Sequence, residues 1–245
     1  MTERFAEDSP RETSRLAGLL YMIVVVTGIF ALTVRSAAIV PGDGVATATN
    51  ILTSQSLYRL SVASDLIASA CYIGVTAFLY ILFRPVSRSV SLLAAVLGLA
   101  GCIIGAAMAV NLLASLVVLG GGAYLTAFSP DQLQALSMLF TRLHAQGSII
   151  SFIFFGCYCL CLGYLVRRSA FLPRILGVLL TIAGLAWLTS SFTALLVPTF
   201  ANSISLYLTA IGGLSEIVFA LWILVRGVDV FPGKSSAIRA HRSAA

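Results

Sequence analysis

The sequence predicts an all-α, polytopic membrane helix bundle of six transmembrane helices, with two short amphipathic helices at its outer surface. Three observations carry this reading. Of 245 residues, 59% are hydrophobic and only 10% charged, where a soluble domain has about 25% charged residues. The apolar residues fall into six runs, each near or above the ~20 residues that cross a hydrocarbon core of roughly 30 Å. Arginines and lysines gather in alternate connections, as they do in membrane proteins of fixed orientation. The net charge of +6 therefore belongs to loops and tails beside anionic lipid, and no nucleic-acid partner is expected.

Residues 1–15 form a polar tail of mixed charge. Residues 16–34 are the first span; a cleaved signal peptide has an apolar core of only about 7–15 residues, so this run is read as retained. Residues 35–57 form an outer connection. It holds a turn at Pro41-Gly42-Asp43-Gly44 and then an amphipathic interfacial helix, 46–57. The second span is 58–83, followed by the tight turn Arg84-Pro85-Val86-Ser87-Arg88. The third, 90–119, is long enough to tilt and ends at Gly120-Gly121-Gly122.

Ser129-Pro130-Asp131 opens the next helix as a cap. One helix over 131–166 would be about 54 Å long, which exceeds the core. Residues 131–140 are thus expected as a separate or projecting outer helix, with the fourth span at 143–166. Arg167, Arg168 and Arg174 surround the following turn. The fifth span is 175–197, an uncharged turn is placed at 198–203, and the sixth span is 204–225. A single transmembrane domain, 16–226, precedes a basic tail, 227–245. Six spans with this distribution of arginines place both termini in the cytoplasm.

An internal two-fold repeat is also visible. Arg59-Leu60 and Arg142-Leu143 each lead into a span, an arginine-containing inner turn and a second span. In those second spans Arg88 precedes Gly98-Leu99-Ala100 by the spacing at which Arg174 precedes Gly184-Leu185-Ala186. Gly101 and Gly105, extended by Ala109, form a small-residue face that permits close helix contact within the bundle or between protomers of a homo-oligomer.

Ionisable groups inside spans are costly, from about 2.5 kcal/mol at mid-bilayer, and usually face a partner or a wet cavity. The candidates are Arg59, Asp65, Asn111, Arg142, His144, Gln146 and Glu216. All count to the outer half of their spans except Glu216, near the middle, and their depths fit one outward-open cavity. Glu216 follows Gly212-Gly213 and has no basic residue within a turn. Its expected partner is His144 or Arg142, then Arg59. It could carry a proton, hold a cation or an amine, or simply fix helix packing. Asp65, six residues after Arg59 and so off its face, is expected to cap or to pair with Arg142. Arg59 and Arg142 read as twin interfacial anchors or an anion site. Asn111 and Gln146 read as interhelical glue.

No metal or cofactor is expected. The second histidine, His241, lies in the tail, which removes bis-histidine haem and three-histidine zinc. Cys157 and Cys161 share a helix face that Cys159 does not, and no CxxC occurs. All five cysteines fall in apolar runs, as small apolar residues. Neither a phosphate-binding loop nor a hydrolase, zincin or dinucleotide motif is present.

Several stretches resemble the bacterial integral-membrane family known as domain of unknown function 4386. They are Ile39-Val40-Pro41-Gly42-Asp43, Ser56-Leu57-Tyr58-Arg59-Leu60, Ala63-Ser64-Asp65-Leu66 and Arg84-Pro85-Val86-Ser87-Arg88-Ser89. Ala127-Phe128-Ser129-Pro130-Asp131-Gln132-Leu133-Gln134, Leu143-His144 with Gly147, and Phe171-Leu172-Pro173-Arg174-Ile175-Leu176-Gly177 complete them. The resemblance spans about residues 15–226 and implies a six- to seven-span architecture, with no established activity to carry over.

The expected function is that of a bacterial inner-membrane protein binding or moving a small polar or lipid-derived molecule in the outward-open cavity. Two alternatives stand beside it: a membrane-embedded enzyme on lipid or quinone head groups with His144 and Glu216 as acid and base, and a structural or sensory module whose polar groups only pair.

Overall fold

Among the described residues, four of the seven α-helices begin at a side-chain cap, and Pro173 and Pro198 mark the starts of the last two. The computed structural model describes residues 9–228; the basic tail beyond them, with Lys234, Arg239, His241 and Arg242, lies outside the described residues. Among these the elements are α1 (Pro10–Ala38), α2 (Gly44–Thr53), α3 (Gln55–Phe83), α4 (Arg88–Leu119), α5 (Pro130–Arg168), α6 (Arg174–Leu196) and α7 (Pro198–Arg226). Six are long and apolar enough to cross a membrane, the last of these runs being Ser203–Arg226.

Side-chain caps on Ser9, Asp43, Ser87 and Ser129 accept from the first-turn amides of α1, α2, α4 and α5. Gly42 takes φ +82° in the turn before α2, a backbone region glycine enters without strain. At α5 the cap is reciprocal: Gln132 N–H donates to Ser129 Oγ at 3.3 Å, and Ser129 N–H donates to Gln132 Oε1 at 2.8 Å. Ser129→Ala is expected to cost about 1 kcal/mol locally. Hydrogen exchange should show the loss as faster exchange confined to the first turns of α5.

One sequence alternative is decided and two expectations change. Residues 131–140 are not a separate helix, because α5 runs unbroken for 39 residues. No proline interrupts it after Pro130, and Gly147 is held by packing against Met108. The first turns therefore project from the bundle. The first interfacial helix is separate but shorter than expected, since Ser54 breaks the chain and α3 begins at Gln55. The turn placed at 198–203 shrinks to Val197. Pro198 occupies the first turn of α7, where its missing N–H is no loss.

The six long helices pack in a closed ring, in the order α1, α3, α4, α5, α6, α7 and back to α1. The closure ties the first turns of α1 to the end of α7. Val228 N–H donates to Ser14 Oγ at 2.9 Å, and Arg15 donates to the Val225 carbonyl. A Cβ on Gly18 would sit 2.7 Å from the Leu224 backbone nitrogen, so α1 and α7 touch almost backbone to backbone. The bundle thus has a terminal end, where α1 begins and α7 ends, and an α2 end. Outward faces carry exposed Val26, Ile29, Leu32, Ile103 and Val110, which suits a lipid bilayer. The Gly101/Gly105 face is used inside the ring: a Cβ at Gly101 would meet Phe155, and Gly105 lies against Ser151, both on α5.

Candidate functional site

The ring directs polar side chains to its axis in two layers. The first is built on Glu216 of α7, only 8% exposed. Tyr21 of α1 donates its hydroxyl to Glu216 Oε2. Tyr72 of α3 donates to the same oxygen at 3.4 Å and lies 3.1 Å from the Tyr21 hydroxyl. Trp187 of α6 donates its indole N–H to Oε1 at 2.5 Å. From α5, buried Cys159 and Tyr158 border the same cluster. These residues lie about 9–13 positions in from the terminal-side helix ends, about 14–20 Å at 1.5 Å per residue. That is near the middle of the long helices.

Local sequence explains the geometry. Gly212 stands one turn before Glu216, and a Cβ there would come within 2.8 Å of the Trp187 ring. Its absence lets the indole lie against α7 and reach the carboxylate. Trp187 also stacks on Phe152, with centroids 4.6 Å apart and planes 10° from parallel. Tyr72 packs edge-on to Tyr21, Phe155 and Tyr158 at centroid distances of 5.2, 4.8 and 5.9 Å. Fixed rings leave the hydroxyls little freedom except rotation about the C–O bond.

That freedom differs between the two carboxylate oxygens. An indole N–H can only donate, so Oε1 is held as an acceptor. Oε2 faces two phenols, each able to donate or accept. An ionised Glu216 takes all three hydrogen bonds. A protonated one keeps Trp187 and turns Oε2 into a donor, and one tyrosine hydroxyl rotates to accept. The site therefore accommodates both protonation states with little movement of heavy atoms. Tyr158, 1% exposed, adds a buried hydroxyl with no hydrogen-bond partner.

The second layer lies toward the α2 end. Arg35 of α1 and Asp65 of α3 form an ion pair at 2.5 Å, their side chains 16% and 22% exposed. His144 of α5 donates Nδ1–H to the Met108 carbonyl at 3.1 Å, and Asn111 of α4 donates to that same carbonyl at 3.2 Å. Buried Tyr58 pairs with Ser115 at 3.2 Å. Neutralising both charges in a double-mutant cycle of Asp65→Asn and Arg35→Gln should reveal a coupling of about 1–3 kcal/mol. This lies between the exposed and fully buried limits, and thermal unfolding in detergent measures it.

The expected pairings are thus corrected. Glu216 is held by Tyr21, Tyr72 and Trp187, not by His144, Arg142 or Arg59. Asp65 pairs with Arg35, not with Arg142. The structure brings His144 and Asn111 together on one carbonyl beside the ion pair, and it leaves Glu216 in a separate layer. Arg59, Arg142 and Gln146 are exposed. Arg142 instead lines a shallow groove of about 440 Å³ between α2 and the projecting part of α5, with Asp131, Gln134, Met138 and Val45.

Tyr21, Tyr72 and Trp187 escaped the sequence reading because aromatic residues pass for core in an apolar span, and Arg35 because it was assigned to the outer connection. One signal was present on α3. Tyr58, Ser61, Asp65, Ser69, Tyr72 and Thr76 recur at spacings of three and four, which places them on one face.

Compared with known proteins, residues 16–227 match the family described as Domain of unknown function (DUF4386). The chain belongs to this family. The match takes in both polar layers of this DUF4386 protein. An uncharacterised protein of Archaeoglobus fulgidus is 33% identical over 78 residues, 32% of this chain and 44% of that relative's length. No solved structure matches the chain.

Proposed function

We propose that this DUF4386 protein is a sensory membrane module that binds a proton at Glu216 and converts its charge state into the packing of the helices around it. The observation that supports this is the donor set on the carboxylate: three neutral groups from α1, α3 and α6, and no cation in contact among the described residues. A purely structural carboxylate is usually matched by a basic partner, which removes its reason to titrate. Glu216 has partners that can reverse their hydrogen bonds instead. We place the module in the bacterial cytoplasmic membrane with both termini inside, on the distribution of its arginines.

Trp187 reports the site directly, and the chain has one other tryptophan, Trp222. In a Trp222→Phe background, Trp187 emission in lipid nanodiscs is expected to shift through one pH transition. Glu216→Gln should abolish it. A transition that survives Glu216→Gln sinks the reading.

The groove at the α2 end favours a second reading, a small polar or lipid-derived ligand, on a surface rather than in the spans. Its volume suits a small ligand, and it sets Asp131, Gln134 and Arg142 beside Met138 and Leu139. Native mass spectrometry should then show a bound lipid that Arg142→Ala releases.

A further inference from the structure

We propose that protons reach Glu216 from the α2 end only, along the polar stripe of α3, and that the terminal end is sealed. The inference rests on Glu216 being the protonation site. The stripe starts at Asp65, whose ion pair with Arg35 is partly exposed. Ser69 lies one turn on and donates to the Asp65 carbonyl at 2.9 Å. Tyr72 follows within the next turn and donates to Glu216. Thr76, one turn beyond Tyr72 toward the terminal end, donates to the Tyr72 backbone carbonyl and lies off the route. Asp65 to Tyr72 is two turns, about 10.5 Å, with a hydroxyl midway. The orphaned hydroxyl of Tyr158 borders the inner end of the stripe, where its ring packs on Tyr72.

The other direction is closed by packing. From Glu216 toward the terminal end, Leu79, Leu82, Phe83, Leu165, Leu180 and Phe219 are each at most 3% exposed and form one contiguous apolar cluster. Protein interiors of this kind leave few voids that water can enter.

Facing Glu216 are Tyr21, Tyr72, Tyr158, Cys159 and Trp187, none of them basic. Facing Asp65 are Arg35 and, near it, His144. Transfer conserves protons at each step. Glu216 carboxylate takes the Tyr72 proton at Oε2, and Tyr72 is restored by the proton arriving from the Ser69 side. One proton leaves the solution at the α2 end and one neutral carboxyl group forms.

The test uses the full-length Trp222→Phe protein in sealed liposomes, with orientation set by protease access to a C-terminal tag. The pH is jumped on one side at a time while Trp187 emission is followed. A jump on the α2 side should be answered at least about tenfold faster than one on the terminal side. Ser69→Ala should slow the α2-side response by about tenfold, and Ser69→Thr should restore it. Equal responses from both sides, a faster response from the terminal side, or an unchanged rate in Ser69→Ala overturns the route and leaves Glu216 as the titrating group. Silence to pH on both sides overturns the assignment of Glu216 itself.

Discussion

Glu216→Ala is expected to destabilise the protein by about 2–4 kcal/mol, more than loss of any other polar side chain in the spans. The substitution removes the acceptor of three donors at once. Each donor left unsatisfied costs about 1–3 kcal/mol. The sum is reduced because donors find other partners when the bundle loosens in the membrane. Glu216→Gln keeps the shape and one acceptor oxygen, so its loss should be smaller. Trp187→Phe removes one donor and preserves the stack on Phe152; it should cost no more than about 1.5 kcal/mol. Thermal unfolding of the three variants in one detergent gives the order. Equal losses for Glu216→Ala and Trp187→Phe would show that Trp187 alone holds the carboxylate.

The second large effect lies between α5 and α6. Gly156 faces Gly184, and Gly163 faces Gly177. A Cβ on Gly184 would come 2.7 Å from the Gly156 carbonyl oxygen, and one on Gly177 would come 2.8 Å from the Gly163 carbonyl oxygen. The clashes are with backbone, which cannot rotate away. Both pairs are seven residues apart on each helix, two turns, so the two antiparallel helices touch twice along one line. Gly184→Val should force α6 outward and cost about 3 kcal/mol or more, the upper end for overpacking. Because α6 carries Trp187, the same variant should also weaken the Trp187 bond to Glu216 and shift the indole emission. Gly213→Ala is the matched control, since nothing lies within 4 Å of a Cβ there. That change should be neutral or stabilising by up to about 1 kcal/mol through helix propensity. If Gly184→Val unfolds at the control's temperature, the close crossing is not what holds α6.

How far the sequence reaches can be judged on particular residues. Glu216 was legible as the deepest carboxylate, because charge in an apolar run stands out and counting from span ends fixes depth. Its partners were not legible. Tyr21 and Trp187 lie on other helices, and in an apolar segment nothing distinguishes a ring with a bonded polar tip from one that only packs. Arg35 was misplaced because hydropathy ends a span at the first charge. The backbone instead continues to Ala38, since a helix stops at a cap and not at a change of polarity. Pro198 was read as turn for the converse reason: its role depends on whether it stands first in a helix or inside one.

By itself, then, the sequence determined the fold class and the six helices long and apolar enough to cross a membrane. These follow from local quantities: apolar run length, rise per residue, and caps that satisfy nearby amides. Only the tertiary structure decided which groups meet. It separated Glu216 from His144, paired Asp65 with Arg35, and turned the Gly101/Gly105 face inward. The physical reason is that pairing depends on the rotation of each helix about its axis and on the closing of the ring. Both are set by close contacts between different helices, such as Gly18 on Leu224 and Gly156 on Gly184, and a spacing along one helix holds no information about them.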